Sequence, residues 1–348
     1  MNVRGRDRRN WRIFLWLSLG SALISAYFGY AVNDGAVPNW RSALSGVASS
    51  LVIATPILFF EIWGQRHEFV RRHLRRLPLV WYFLFRVTFY SVVIVGGLIL
   101  TRAVIAPQGF RFDATFRDSL VFAISMSTIV NLLFQIGLLL GFRTLSTLLT
   151  GRYAKPRAEQ RVFLLIDMKN STGLAERLGP IRFHELLNDF FRDVADAALE
   201  CGADIHKYVG DEAILTWPTD KALANGICLA CPFVARRRLE AHAAQYRARF
   251  DALPEFRAAL HCGEIVAGEI GDVRREIAYV GDTLNVAARL LESCKGLGRD
   301  VLTSAELLQR SRLPDGLRAE PLPTLSIRGR DAPLEIAALS RRGAPDQG

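Results

Sequence analysis

The sequence predicts two unlike parts in one chain: an all-α part of four apolar spans ahead of residue 143, and a mixed α/β part behind it. Three observations predict this. Hydrophobic residues make up 50% of the 348, giving a mean hydropathy of +0.17, and the excess is concentrated before residue 143. Behind that point, apolar strands end on carboxylates or tight turns and open into helices. Ahead of residue 143 most of the arginines gather in two blocks, one before the first span and one between the second and third.

The four spans read as residues 13–32, 44–63, 79–100 and 120–142, so that 1–142 form a membrane domain. Each reaches the roughly 20 residues that cross a hydrocarbon core. The second contains Pro56, which membrane helices tolerate, and carries Glu61 near its end, where the interface would receive it. Trp11, Trp16, Trp40, Trp63, Trp81 and Tyr82 lie near the span ends, as an aromatic belt would place them. A cleaved leader is the alternative for residues 1–32; three further spans argue against it.

Arg4, Arg6, Arg8, Arg9 and Arg12 precede the first span, and Arg66, Arg71, Arg72, Arg75 and Arg76 lie between the second and third. Both segments belong on the cytoplasmic side. The other connections carry Asp34, Asp113 and Asp118 and few arginines, and belong outside. The chain is thus expected to be a multi-pass protein of the inner (plasma) membrane with both termini cytoplasmic. The net charge of +10 comes largely from the two basic segments and suits an anionic lipid surface. No nucleic-acid-binding motif is present, and no nucleic-acid partner is expected.

Residues 143–160 read as a linker, with Gly151, Lys155 and Pro156; a helix leaving the membrane should end by Ala154, because the residue before a proline disfavours helix. The joint is open to two readings, a relay of membrane-domain movement or a plain tether. Residues 161–340 form the second domain and 341–348 a tail.

Three motifs in the second domain carry chemistry. Val162 to Ile166 form an apolar strand ending on Asp167, and the turn from Lys169 to Thr172 opens a helix. Lys207-Tyr208-Val209-Gly210-Asp211-Glu212 reads as a strand, a tight turn at Gly210-Asp211 and a returning strand. If the two strands are neighbours, both carboxylates reach one sheet edge, and a pair of hard oxygen ligands is how proteins hold Mg²⁺ against a nucleotide triphosphate. A helix-capping aspartate and a turn aspartate are the plain alternatives. In the third motif a strand ends at Gly281 and a helix begins near Asp282 or Thr283. Asn285 and Arg289, four apart, share one helix face, while Leu284, Ala287, Ala288 and Leu291 fill the opposite one. The helix start after Lys169 also offers free backbone N–H groups, with Ser171 and Thr172, as a phosphate cradle.

Together these motifs resemble the catalytic domain of the class III nucleotide cyclases, the adenylate and guanylate cyclases, over roughly residues 159–340. The resemblance implies a ferredoxin-like α/β (α+β) domain working as a head-to-tail homodimer, with the site between subunits. It implies that Asp167 and Asp211 bind two metal ions per site, Mg²⁺ or Mn²⁺, that Lys207 reads the purine, that Asn285 orients the ribose and that Arg289 stabilises the transition state. The metal pair would act from one chain and the other three residues from its partner. Arg328, beside Gly329, matches a basic residue that the family often places near the end of the domain. Arg274, Arg275 and Arg330 are further candidates for the triphosphate, although a solvated surface charge is the plainer explanation of each of the four.

Adenylate cyclases usually carry Asp or Thr three residues before the glycine of the third motif; here stands Ala278, which has no side-chain hydrogen bond to give. Lys207 can donate to adenine N1 but would meet another donor at guanine N1, so the resemblance implies ATP as substrate with a weakened purine filter. A guanylate or dual-specificity cyclase, and a membrane sensor whose cyclase domain binds nucleotide without turnover, are the alternatives. Of the five cysteines, Cys228 and Cys231 make a CxxC without a second pair, so zinc lacks ligands; they read as buried small residues in a helical stretch over 222–250. Val209 and Ala213 flank Gly210-Asp211-Glu212 where a diguanylate cyclase would have Gly and Phe. The arginine distribution makes a direct prediction: reporter fusions place Gly5, Arg72 and Gly151 inside and Asn39 and Gln108 outside, and an external reporter at Arg72 overturns the second span and the orientation.

Overall fold

The computed structural model describes residues 3–31, 38–64, 77–105, 114–140, 145–147, 150–273, 275–326 and 333–343. The chain divides into two compact units, Met1–Leu145 and Ser146–Gly348.

The first unit consists of α1 (Val3–Ala31), α2 (Asn39–Ile62), α3 (Leu79–Ile105) and α4 (Ala114–Leu140). Each contains an apolar window long enough to cross a membrane: Phe14–Ala31, Asn39–Ile62, Val80–Thr101 and Phe116–Gly137. Their outward surfaces are apolar, with Leu15, Trp16, Leu23, Tyr27, Val80, Val92 and Val104 exposed. Inside, Ile94 and Leu98 of α3 pack with Phe116, Leu120 and Ile124 of α4 and with Ile53 and Ile57 of α2. Helices α1 and α2 lie close because Gly29 and Gly46 face backbone: a Cβ on either would run into the carbonyl of Ser42 or Ser25. Small residues at a helix contact are the usual device for such an approach in lipid. Pro56 is accommodated within α2. Glu61, next to the last residue of α2, forms an ion pair with Arg86 of α3 that leaves its side chain 13% exposed. The basic loop at 65–76, with His67 and His73, lies outside the described residues.

The second unit is an eight-stranded sheet with helices on both faces. Its first part runs β1 (Arg157–Met168), α5 (Ser171–Glu200), β2 (Asp204–Val209), β3 (Glu212–Pro218), α6 (Thr219–Leu223), α7 (Ile227–Ala241), α8 (Ala243–Phe250) and β4 (Phe256–Ile270). The strand order β2-β3-β1-β4 within this β-α-β-β-α-β succession is the ferredoxin-like arrangement. The chain continues through β5 (Glu276–Val280), α9 (Asp282–Gly296), β6 (Val301–Ser304), α10 (Ala305–Arg310), β7 (Leu317–Leu325) and β8 (Leu334–Arg341). β5 pairs with the far half of β4, while β6, β8 and β7 extend the sheet beyond it.

Strand β1 is buried on both faces, which explains its unbroken apolar run. Val162, Leu164, Ile166 and Met168 face a core with α5 and α7, built on Leu186, Phe190, Val194 and Leu229. Phe163 and Leu165 face a second core with α9, built on Val286, Ala287, Leu290 and Leu291. The inward face of α9 holds the expected Ala287 and Leu291, with Leu284 and Ala288 half-buried against the same core, and is widened by the fully buried Val286 and Leu290. The predicted helical stretch over 222–250 is corrected. Asn225 and Gly226 take positive φ and separate α6 from α7, and His242 separates α7 from α8. Cys201, Cys228, Cys231, Cys262 and Cys294 are free and buried.

β1 begins at Arg157, and its first four residues pair with Glu264 to Ala267 of β4. The connecting segment is anchored just before it. Tyr153 is buried, its carbonyl accepts from Glu269 N at 3.0 Å, and its hydroxyl donates to the Glu159 carboxylate at 2.9 and 3.0 Å. Glu159 also pairs with the fully buried Arg161 at 3.0 Å.

Candidate active site

Antiparallel pairing of β1 with β3 sets Asp167 opposite Glu212, and pairing with β4 sets Arg257 on its other side. Gly210 takes φ 60° in the turn between β2 and β3, a conformation glycine adopts without Cβ strain, and Asp211 follows immediately. The structure therefore brings Asp167 and Asp211 together at one sheet edge, as the sequence predicts. The acids repel one another. Burial first, and then the Asp211 charge, push the Asp167 carboxyl up to about 6 against the opposing pull of Arg257. Burial with the charges of Asp167 and Asp211 pushes Glu212 up to about 7. Such a pair of half-buried carboxylates, oxygen-only and short of positive charge, fits a hard divalent cation. Two carboxylates, rather than a closed cage of protein ligands, is the donor set with which Mg²⁺ binds alongside substrate phosphates.

The turn after Asp167 is held firmly. Lys169 N donates to Glu255 O at 2.8 Å, and its ammonium pairs with Asp300 at 2.5 Å. Asn170 takes φ 54°, and α5 starts at Ser171. Leu174 N bonds back to Asn170 O at 3.0 Å; the N–H groups of Ser171, Thr172 and Gly173 precede the first intrahelical bond and stand at the positive end of the helix.

Lys207 lies on β2 beside a bulge, between Ile205 and Lys207, and is exposed. Ala278 lies on β5 opposite Gly268. The neighbours of these two residues meet: the His206 ring packs on Tyr279 at 4.6 Å. Tyr279 also packs edge-on against Phe163 at 5.7 Å and receives the Arg161 guanidinium over its face at 4.8 Å. Burial, and then the charge of Lys207, hold His206 down at about 4, so it is a neutral ring at ordinary pH. Sequence reading missed this cluster, because no local pattern joins Tyr153, Glu159, Arg161, His206 and Tyr279; only the folded sheet does. It missed Arg257 for the same reason, whereas Glu212 was visible within the second motif.

Helix α9 begins at Asp282. Asn285 and Arg289 are both exposed on it, and the Arg289 guanidinium pairs with Glu292 one turn on, at 2.8 Å. Their common outward face is as predicted. Within the chain they are solvent-facing residues, not members of the carboxylate cluster. Arg275 is exposed and lies 4.0 Å from Glu269. Arg274, Arg328 and Arg330 lie outside the described residues.

These features have counterparts in known proteins. The family described as the adenylate and guanylate cyclase catalytic domain matches residues 154–334. "Adenylate cyclase 2" of Rhizobium meliloti (strain 1021) is 40% identical over 310 residues, covering 85% of this chain and 83% of that protein. "Adenylate cyclase 1" of the same strain is 29% identical over 50% of this chain, which spans only 26% of that longer protein. Among solved structures, a bacterial light-regulated adenylyl cyclase aligns with a TM-score of 0.53 at 15% identity over 65% of each chain, a likeness of fold. With its three motifs set on one ferredoxin-like sheet, its match to the family over half its length and four candidate membrane spans ahead of the sheet, the chain belongs to the adenylate and guanylate cyclases of class III.

Proposed function

We propose that the protein is a membrane-bound, homodimeric adenylate cyclase that converts ATP to cyclic AMP and pyrophosphate. The observation that carries this is the register of β1 against β3, which sets Asp167 and Asp211 side by side as a repelling pair. The name of the 40% identical relative supports adenylate as the product class. Asp167 and Asp211 hold two Mg²⁺ or Mn²⁺ ions per site. Such ions lower the pKa of the ribose 3′-hydroxyl and neutralise the triphosphate. The 3′-oxygen forms its bond to the α-phosphorus as the bond to the pyrophosphate oxygen breaks. Ser171, Thr172 and the N–H groups at the start of α5 cradle the phosphates, and Arg328 adds charge.

Lys207 donates to adenine N1 and Asn285 orients the ribose. Arg289 meets the charge that develops on the phosphate; its planar fork suits that task better than a flexible ammonium. Because Asn285 and Arg289 face solvent in one chain, a second copy is the natural way to bring them to a metal pair. Apolar side chains stand ready to be covered by it: Ile205, Tyr208 and Val209 on β2, and Val266, Ile270, Val273 and Val280 around the β4–β5 hairpin are exposed. Exposed apolar groups concentrated in this way mark association surfaces. The four spans lie in the inner membrane with both termini in the cytoplasm, where ATP and Mg²⁺ are available.

The shared site has a decisive test. Asp167→Ala and Arg289→Ala should each abolish turnover in a folded homodimer, while co-expression of the two restores activity, because one of the two interfaces in the heterodimer receives both intact halves. Heterodimers without recovery contradict the assignment of these residues to opposite chains.

The purine filter follows from Ala278. ATP should be preferred over GTP, but modestly, and Ala278→Asp should raise the ATP/GTP ratio of kcat/KM by roughly ten- to a hundred-fold, the worth of one well-placed bond to a charged group. Lys207→Glu should erode ATP use. An unchanged ratio in Lys207→Glu means that Lys207 does not touch the base.

A further inference from the structure

The apolar seam inside the helical unit turns polar toward one end. On α2 it runs from Ile53 and Ile57 to Glu61, on α3 from Leu98 and Ile94 to Tyr90 and Arg86, and on α4 from Leu120 and Ile124 to Asn131 and Gln135. Each step follows helical spacing, so these polar residues continue the inward stripes. They also share a level. Arg86 lies seven residues after the start of α3 and Gln135 five before the end of α4, or about 10 Å and about 8 Å along antiparallel neighbours. Arg86, Asn131 and Gln135 are only 1%, 2% and 6% exposed, and the protein itself, not lipid, encloses them.

Some of this polarity is satisfied. The Arg86 Nη2 group pairs with Glu61, and Arg86 Nε and Nη2 donate to the Tyr90 hydroxyl at 3.2 and 3.1 Å. The guanidinium lies 5.6 Å from the ring centres of Tyr82, Tyr90 and Phe134. Phe134 sits next to Gln135 and one turn from Asn131. Yet Arg86 Nη1, both amide atoms of Asn131 and Gln135 Nε2 have no hydrogen-bond partner among the described residues. An unpaired buried polar group is costly in a medium without water, and three such side chains at one level of one bundle mark a site to be filled.

We infer that this end of the four-helix bundle binds the head of a membrane-dissolved amphiphile bearing an uncharged carbonyl. The unpaired atoms are mostly N–H donors, two on each of three nitrogens, against the single acceptor Asn131 Oδ1; they call for an oxygen that accepts. The Arg86–Glu61 pair is already neutral, so a charged head is not required. The aromatic rings around Arg86 suit a flat group. A protonated long-chain carboxylic acid and an alkylated quinone share this chemistry; the acid alone can also donate to Asn131 Oδ1.

The test uses the full chain in phosphatidylcholine nanodiscs and equilibrium binding of radiolabelled palmitic acid, decyl-benzoquinone and hexadecane as a headless control. One carbonyl-bearing probe should bind saturably, one per chain, and hexadecane should not. Asn131→Leu and Gln135→Leu should each weaken that binding ten-fold or more. Without probe, both variants should unfold at a temperature no lower than the parent chain, since they remove orphaned polar atoms. Binding of palmitic acid alone identifies an acid site, and binding of the quinone alone a quinone site. Absence of saturable binding for both leaves the four atoms to buried water and overturns the inference. So do unchanged affinity in both variants, equal binding of hexadecane, or loss of the fold in both variants, which would assign the cluster to packing.

Discussion

The pairing of β1 with β3 governs everything at the catalytic edge. It holds a strand that is apolar on both faces, with Val162, Leu164 and Ile166 in one core and Phe163 and Leu165 in the other. A slip by one residue would exchange the two sets and carry Asp167 into the core beneath α5. The register is therefore fixed by packing far from the chemistry, and the cost of crowding Asp167, Asp211 and Glu212 is borne by that packing. The site is an electrostatic deficit built into the sheet, and in the proposed function a divalent cation removes it.

The elements around this edge are tied to it through aromatic and charged contacts rather than through the backbone alone. Tyr279 connects β5 to β1 through Phe163 and Arg161, and to β2 through His206. The strands carrying Lys207 and Ala278 are thus fastened to each other, which is what the proposed reading of the base at these two positions needs. The same cluster takes in Tyr153 from the segment that precedes β1, so that segment is docked on the catalytic sheet at this residue. The helical unit follows a different rule: Ile94, Leu98 and Phe116 form an apolar core, and Arg86, Asn131 and Gln135 are buried beyond it.

Much of this was legible from the sequence where a local rule applies. The strand into Asp167, the glycine turn before Asp211, the helix start at Asp282 and the shared face of Asn285 and Arg289 follow from apolar runs, turn chemistry and helical spacing. Four apolar spans follow from length and composition. What stayed hidden depends on tertiary neighbours. Arg86 is one charge in a long apolar run and leaves the hydropathy signal intact, and its pairing with Glu61 joins two helices far apart in sequence. Arg257 reaches Asp167 only through the β1–β4 register. The inward face of α9 takes in Val286 and Leu290 because of how the helix lies on the sheet, and left-handed backbone at Asn225 and Gly226 ended a helix that composition alone would have continued.

The central claim is that Asp167 and Asp211 form a repelling pair whose partner is a divalent cation. A carboxyl raised in the folded state, as Asp167 is to about 6, destabilises the fold at pH values above that point, and the penalty fades as pH falls toward the ordinary carboxylate range, where the unfolded chain is protonated as well. Thermal unfolding of the full chain in detergent measures this directly. In the absence of metal, Asp167→Asn should unfold at a higher temperature than the parent chain at pH 8, and the gap should close as pH is lowered from 6 to 4. Adding Mg²⁺ or Mn²⁺ at pH 8 should raise the unfolding temperature of the parent chain and leave Asp167→Asn nearly unmoved. A variant no more stable than the parent at pH 8, or a metal effect equal in both, would contradict the account.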